Sequence, residues 1–386
     1  MTSISSDTAS PSHTAILQFG TSRFLLAHAD LFVSEALQRG EAVGTITLVQ
    51  TTGNAESAKR VAALSSGQAY PVRVRGLSGG DTVDVTVEGR AIGKALSAQT
   101  DWPAVREAAL AARIILSNTG DRGFDLDSID TAASVADRSI APKSFPAKIT
   151  TLLLERFEQC PDDPISIYPC ELISRNGDKL RSLVLELATA WNLPPEFNAY
   201  IDRSCCFANS LVDRIVSEPI EPVGAVAEPY ALWAIEEQAG LTLPCTHPAI
   251  IVTDDLARYE ELKLHILNLG HTVLAELWLS GANARAGTVL EIMNDDSSRE
   301  TLERVWCDEV VPVFAANGQG AEAASYVDEV RERFLNPFLA HRLADIAGNH
   351  TEKKRRRLLP VIERGRLLER PIPQPILSAM MEANHD

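Results

Sequence analysis

Cysteine is sparse and scattered: Cys160, Cys170, Cys205, Cys206, Cys245 and Cys307 make six in 386 residues, with no Cys-x-x-Cys pair. That distribution argues against a disulfide framework and a cysteine zinc site, and favours reduced thiols in the cytoplasm. No run approaches the ~20 apolar residues of a bilayer span, so no membrane partner is expected. Positive charge is also short: 36 Lys and Arg against 52 Asp and Glu leave a net charge of −16. Such an acidic chain is a poor match for nucleic acid or an anionic membrane. Residues 1–13 lack an apolar secretory core and read as a disordered tail. Glycine is missing too, because Ser22 and Leu25 stand where a GxGxxG fingerprint starting at Gly20 needs glycines.

What is present suits a soluble globular enzyme of two or three domains, with 45% hydrophobic and 23% charged residues over 386 positions. Residues 15–19 form an apolar run ending at Gly20, and residues 21–40 continue at helical spacing to a stop at Gly40. Strand, glycine turn and helix open a dinucleotide fold, where backbone N–H groups and a helix start meet a pyrophosphate. Residues 45–50 form a second strand ending in Gln50-Thr51 rather than an acid, which leaves NAD against NADP open. Residues 70–92 alternate across Gly79-Gly80 as an inserted β-hairpin. A helix over 101–112 leads into the buried strand 113–116, and then into SNTGDRG over residues 117–123. That polar segment is either an ordinary turn or part of the ligand edge of a sheet. A helix over 145–157 and a strand over 165–168 follow, then a turn pair at Asn176-Gly177 and a helix from Leu180. Asp213 and Arg214 lie in an apolar segment and suit a structural ion pair, and residues 249–253 make one more strand.

Residues 258–281 are long, apolar and helical in period, yet contain Lys263, Asn268 and His271. At about 100° per residue Asn268 lies about 140° from Lys263 and His271 about 80°, so the three share one broad side. They either face water or serve a site, since burying them without use is costly. Past Gly281 the strand pattern fades, and residues 301–314, 321–335 and 338–346 read as helices. The basic run Lys353–Arg357 reads as a solvated face or a localisation-like patch. These pieces give an α/β Rossmann-like N-terminal domain with an inserted β-hairpin over residues 14–257, then an all-α domain over 258–386.

In order along the chain, ILQFGTSRFLLAHAD, IILSNTGDRGF, SFPAKITTLLLERF, PCELISRNGDKL, FANSLVDRIV, EPYALW, YEELKLHILNLGHT and RFLNPFLAHRLADIAGNHTEKKRRRLLP resemble the polyol-specific long-chain dehydrogenases. The hexuronate branch of that family is the more similar. Its most specific motif is Lys-x4-Asn-x2-His, here Lys263, Asn268 and His271. The resemblance implies metal-independent hydride transfer between nicotinamide and a sugar carbon. By motif position Lys263 is the general acid/base, Asn268 and Asn176 form the oxyanion hole, and His271 with Asp213 orients substrate hydroxyls. Glu260 matches the proton-relay glutamate. Gly20, Thr21, Ser22, Phe24, Gln50, Asn118 and Thr119 are the expected cofactor contacts. The residues suit this chemistry: a developing alkoxide needs a base and dipoles aimed at its oxygen. Lysine titrates near ~10.4 in water, so acid–base work at neutral pH requires a desolvating surround, which the leucines beside Lys263 can supply.

The sequence also departs from the family. Gly20-Thr21-Ser22-Arg23-Phe24 replaces GxGxF, and Leu26 stands where many members have arginine. If Lys353 is the lysine of the C-terminal motif, Asp345 replaces the arginine of mannitol-type members, and Arg342 and Arg355–Arg357 offer basic groups instead. Guanidinium binds carboxylate bidentately, which favours a sugar acid. Arg342, Lys353 and Arg357 are accordingly candidate substrate ligands. The expectation is a cytoplasmic NAD- or NADP-dependent oxidoreductase, monomer or small homo-oligomer, interconverting tagaturonate or fructuronate with its aldonate. A polyol 2-dehydrogenase and a non-catalytic nucleotide-binding protein are the alternatives.

Overall fold

A computed structural model describes residues 14–383 apart from 52, 54, 66, 121 and 282–284. The tail expected over 1–13 lies outside these. The first strands are β1 (Thr14–Phe19), β2 (Thr45–Gln50), β3 (Tyr70–Ser78), β4 (Asp81–Gly89), β5 (Ile92–Ser97), β6 (Ile114–Ser117), β7 (Ile165–Pro169) and β8 (Cys205–Phe207). Six of them form a parallel sheet in the order β5-β2-β1-β6-β7-β8. With the hairpin set aside this is the 3-2-1-4-5-6 order of a dinucleotide fold, whose direction reverses between β1 and β6. Buried on both faces, these strands read as short apolar runs such as Ile114-Ile115-Leu116.

The hairpin β3–β4 is present, with Gly79 and Gly80 both at positive φ in its turn. It joins a four-stranded sheet, β10-β11-β3-β4, through β10 (Val216–Pro219) and β11 (Ala225–Ala227). A third sheet, β13-β12-β9, uses β9 (Ser210–Asp213), β12 (Leu232–Glu236) and β13 (Ile250–Thr253). The sequence reading gave neither small sheet, and it ended the hairpin at Ile92 without marking β5.

Two compact units emerge. The first holds the residues up to 73, 86–227 and 231–256, and the second holds 74–85, 228–230 and 257 onward. The expected division is contiguous at 257/258; in these compact units the hairpin tip and Glu228–Tyr230 group with the helices. Charge and packing explain both within the second unit. Arg333 makes a bidentate, buried ion pair with Glu228 (Nη2–Oε1 2.8 Å, Nε–Oε2 3.0 Å) and stacks on the Tyr230 ring at 4.3 Å. Arg75 of the hairpin lies over Phe338 at 4.0 Å, and Asn336 Nδ2 donates to the Arg75 carbonyl (3.1 Å).

The helical unit packs around Ile266, Val273, Trp306, Phe314 and Phe334. Residues 338–342, expected to be helical, are not; Phe338 N–H donates to Asn336 Oδ1 and helix resumes only at Leu343–Ile346. The Asn176-Gly177 turn pair is also corrected, because these residues open the helix Asn176–Ala190 behind Arg175 at φ 51°. Removing one partner from a buried ion pair leaves an uncompensated charge. Arg333→Met should therefore lower the unfolding free energy by about 3–5 kcal/mol in urea titrations, and adding Glu228→Gln should recover part of it.

Candidate active site

In the first unit, the polar residues collect at the carboxyl edge of the parallel sheet. Gly20 follows β1 and Asn118 follows β6, so they flank the reversal point. Gly20 has φ +113°, and a Cβ there would lie 2.4 Å from the Asn118 carbonyl oxygen, so no other residue fits. Ser22 Oγ accepts Leu25 N–H (3.2 Å) and caps the short helix Arg23–Leu26. Phe24 stacks on His28 at 4.7 Å, and Thr21 is buried. The helix expected to run from here to Gly40 breaks at Ala27-His28 and restarts at Ala29–Arg39. Gln18 Nε2 donates to Asp30 Oδ2 (3.1 Å), whose fully buried carboxyl is pushed up to about 7 by desolvation.

Asn118 and Thr119 form no ordinary turn. Asn118 Nδ2 donates to the Cys170 carbonyl (2.7 Å), while Thr119 donates through N–H (2.9 Å) and Oγ1 (2.8 Å) to Glu171 Oε1. Ser117 Oγ donates to Glu171 Oε2 (3.0 Å). Burial raises the Glu171 carboxyl, and these donors offset it in part. Glu171 thus fixes the edge, a role missed by sequence reasoning although its spacing from Asn176 was in view. Gln50 is buried at the end of β2, its carbonyl accepting Ala98 N–H (2.9 Å). Thr51 and Thr119 line a cavity of about 480 Å³ with Arg122, Ser144 and Lys148. Lys148 is pushed down to about 8 by burial. A glycine forced against the neighbouring strand end, and a polar cavity at the carboxyl edge lined by Arg122, Lys143 and Lys148 as well as Asp125 and Asp127, fit a dinucleotide.

Asn176 is the other expected oxyanion donor. Its side chain is buried, with Nδ2 donating to the carbonyls of Pro169 (2.9 Å), Glu171 (3.2 Å) and Ser210 (2.9 Å) and Oδ1 accepting from Gly177 and Ser210 N–H. An amide has two hydrogens, and both are committed. Asn176 therefore staples strand ends. Asp213 is buried at the end of β9, opposite Leu232.

In the second unit, residues 257–279 form one continuous helix that widens to π geometry over Lys263–Asn268, where Leu269 N–H reaches the Leu264 carbonyl. Such turns take more residues than an α turn and recur at functional sites. Lys263 and Asn268, five apart, therefore come nearer one another around the axis than the 100° spacing allows. Both are half-buried, as is Glu260 three residues before the lysine. His271 is buried, its ring 4.4 Å from Phe334 and 4.6 Å from His341, whose imidazole burial holds low.

Of the candidate substrate cations, Arg342 is exposed at the start of the helix Leu343–Ile346, and Lys353 donates to the Ile346 carbonyl (2.7 Å). Arg357, expected as a carboxylate ligand, donates through Nη1 to the Asn268 carbonyl (3.2 Å) and Thr272 Oγ1 (3.0 Å). Desolvation and neighbouring Arg356 push it down to about 10. The basic run is no uniform face either, since Lys354 is buried between Glu276 (3.2 Å) and the carbonyls of Met380 and Ala383. Among the described residues, no cluster of three His, Cys, Asp or Glu is placed to hold a metal ion, and no helix is long and apolar enough to cross a membrane.

Residues 14–244 match the family model of the mannitol dehydrogenase Rossmann domain, and residues 255–379 that of the mannitol dehydrogenase C-terminal domain. The chain belongs to the mannitol dehydrogenase family and is a nicotinamide-dependent oxidoreductase acting on CH–OH groups. It is 33% identical over 368 residues to a protein named altronate oxidoreductase from Halalkalibacterium halodurans, covering 89% of this chain and 69% of that one. It is 31% identical over 399 residues to the Bacillus subtilis protein of the same name, covering 96% and 80%. The fold matches mannitol 2-dehydrogenase from Pseudomonas fluorescens, solved with NAD and D-mannitol, at a TM-score of 0.71 and 21% identity over 95% of this chain and 77% of that one. The expected fold class, a Rossmann-like domain followed by a helical one, therefore stands.

The buried Asp30 yields a pH test. Its folded pKa of about 7 exceeds the ordinary 3.8, so its contribution to stability is full below 3.8 and is lost as pH rises through about 7. Asp30→Asn should match the wild type near pH ~4 and become the more stable of the two by pH ~8, as read from melting temperatures across that range.

Proposed function

We propose that this chain interconverts tagaturonate and altronate, reducing the keto-hexuronate to its aldonate. The observation carrying the proposal is the 31–33% identity, along 89–96% of the chain, to proteins named altronate oxidoreductase. The bound nicotinamide supplies or accepts the hydride at the sugar carbon. Lys263 gives the proton to the reacting oxygen in reduction and takes it in oxidation. Asn268 donates to the charge that develops there. Glu260 passes the proton between Lys263 and solvent, and His271 and Asp213 orient substrate hydroxyls. Arg342 and Lys353 are the cations for the uronate carboxylate. NAD is the expected cofactor, bound by Gly20, Thr21, Ser22, Phe24, Gln50, Asn118 and Thr119. NADP is left open because Gln50-Thr51 places no acid against a 2′-phosphate. The step needs no metal, and the enzyme works in the cytoplasm as a monomer or small homo-oligomer.

Turnover of tagaturonate, fructuronate and fructose with NADH and NADPH tests the proposal. Tagaturonate should lead, and Lys263→Ala should lose about 10²–10⁴-fold in kcat. A preference for fructose beyond about tenfold, or full turnover by Lys263→Ala, would remove the uronate or the lysine assignment respectively.

A further inference from the structure

The wide turn at Lys263–Asn268 contains no proline, and donors from other positions hold its carbonyls. Trp306 Nε1 donates to the Ile266 carbonyl (3.2 Å), and Thr272 Oγ1 donates to that of Asn268 (2.9 Å). Arg357 Nη1 donates both to the Asn268 carbonyl (3.2 Å) and to Thr272 Oγ1 (3.0 Å). The Arg357 carbonyl in turn meets His265 Nδ1 at 3.1 Å, so the helix His350–Arg357 grips the turn at two points. Donors that reach a helical carbonyl from the side draw it out of the regular i→i+4 ladder. The indole can approach only because position 270 is glycine: a Cβ on Gly270 would lie 2.7 Å from the Trp306 ring.

We propose that Trp306 and Arg357 are positioning residues that hold the π turn open and so set the rotation of Asn268 relative to Lys263. The inference rests on the proposed roles of those two residues at the reacting oxygen. If the turn closed to α geometry, residues five apart would stand about 140° from one another, which turns the donor away from the oxygen that the acid addresses. Neither positioning residue touches the reacting atoms.

Trp306→Phe keeps an aromatic ring, though a smaller one, and removes the N–H, Arg357→Lys keeps the charge and removes the fork, and Thr272→Val removes the hydroxyl while leaving the aromatic core intact. In the full chain each should lower kcat for tagaturonate about ten- to hundredfold, because small misplacements weigh heavily on the reacting geometry. KM and NADH affinity should stay within about twofold. Hydrogen exchange of a peptide covering residues 263–270 should quicken about tenfold or more in the same variants. If exchange and kcat remain at wild-type values in all three, the inference is overturned. It is equally overturned if kcat falls only in proportion to the loss of folded protein. Exchange needs no substrate, so an inactive wild type with faster exchange in the variants would overturn the uronate reading and support the held turn. An active wild type with unchanged variants would overturn this inference alone.

Discussion

A helix that fits an extra residue into one turn must have its displaced carbonyls satisfied by other groups, and this constraint organises the helical unit. Trp306 supplies one donor and Arg357 with Thr272 the others. Trp306 itself lies in a second π segment, Val305–Val310. There the cause is visible in the sequence: Pro312 has no N–H for the carbonyl four residues earlier, so the ladder shifts. One irregularity thus places the side chain that steadies the other. Gly270 admits the indole, and Phe334 closes against both Trp306 and His271.

The first unit meets a related requirement at its sheet edge. Strand ends carry backbone groups that need partners when buried. Asn176 serves three carbonyls and two amides, and Glu171 collects three donors from Ser117 and Thr119. A rigid edge lets Gly20 sit against Asn118 without side-chain bulk between them. The segment after β1 departs from the GxGxF pattern, yet the glycine whose geometry is irreplaceable is retained.

Much of this was legible in the sequence. Apolar runs bounded by glycine and small polar residues mark the parallel strands, and alternation around Gly79-Gly80 marks the hairpin. The small strands β8 to β12 were not, because three to five residues with polar members such as Ser210 and Asp213 show no clear period. The π turn was hidden because the angular reading assumes a constant advance per residue. Only the second π segment, Val305–Val310, carries a sequence sign of irregularity, in Pro312. Asn176-Gly177 looked like a turn because Arg175 gives no sign of its left-handed backbone. Lys354 looked solvated because its partner Glu276 is distant in sequence. Types and order of elements follow from local pattern; side-chain commitments follow from partners that local pattern does not reveal.

The central claim is that Lys263 moves the proton at the reacting oxygen. The most direct measurement is chemical rescue of Lys263→Ala by primary amines of graded basicity during tagaturonate reduction. The account predicts that added amines restore turnover, with rates that follow amine pKa once size is accounted for. Absence of rescue by every amine, in a variant that still binds NADH and tagaturonate, would contradict it.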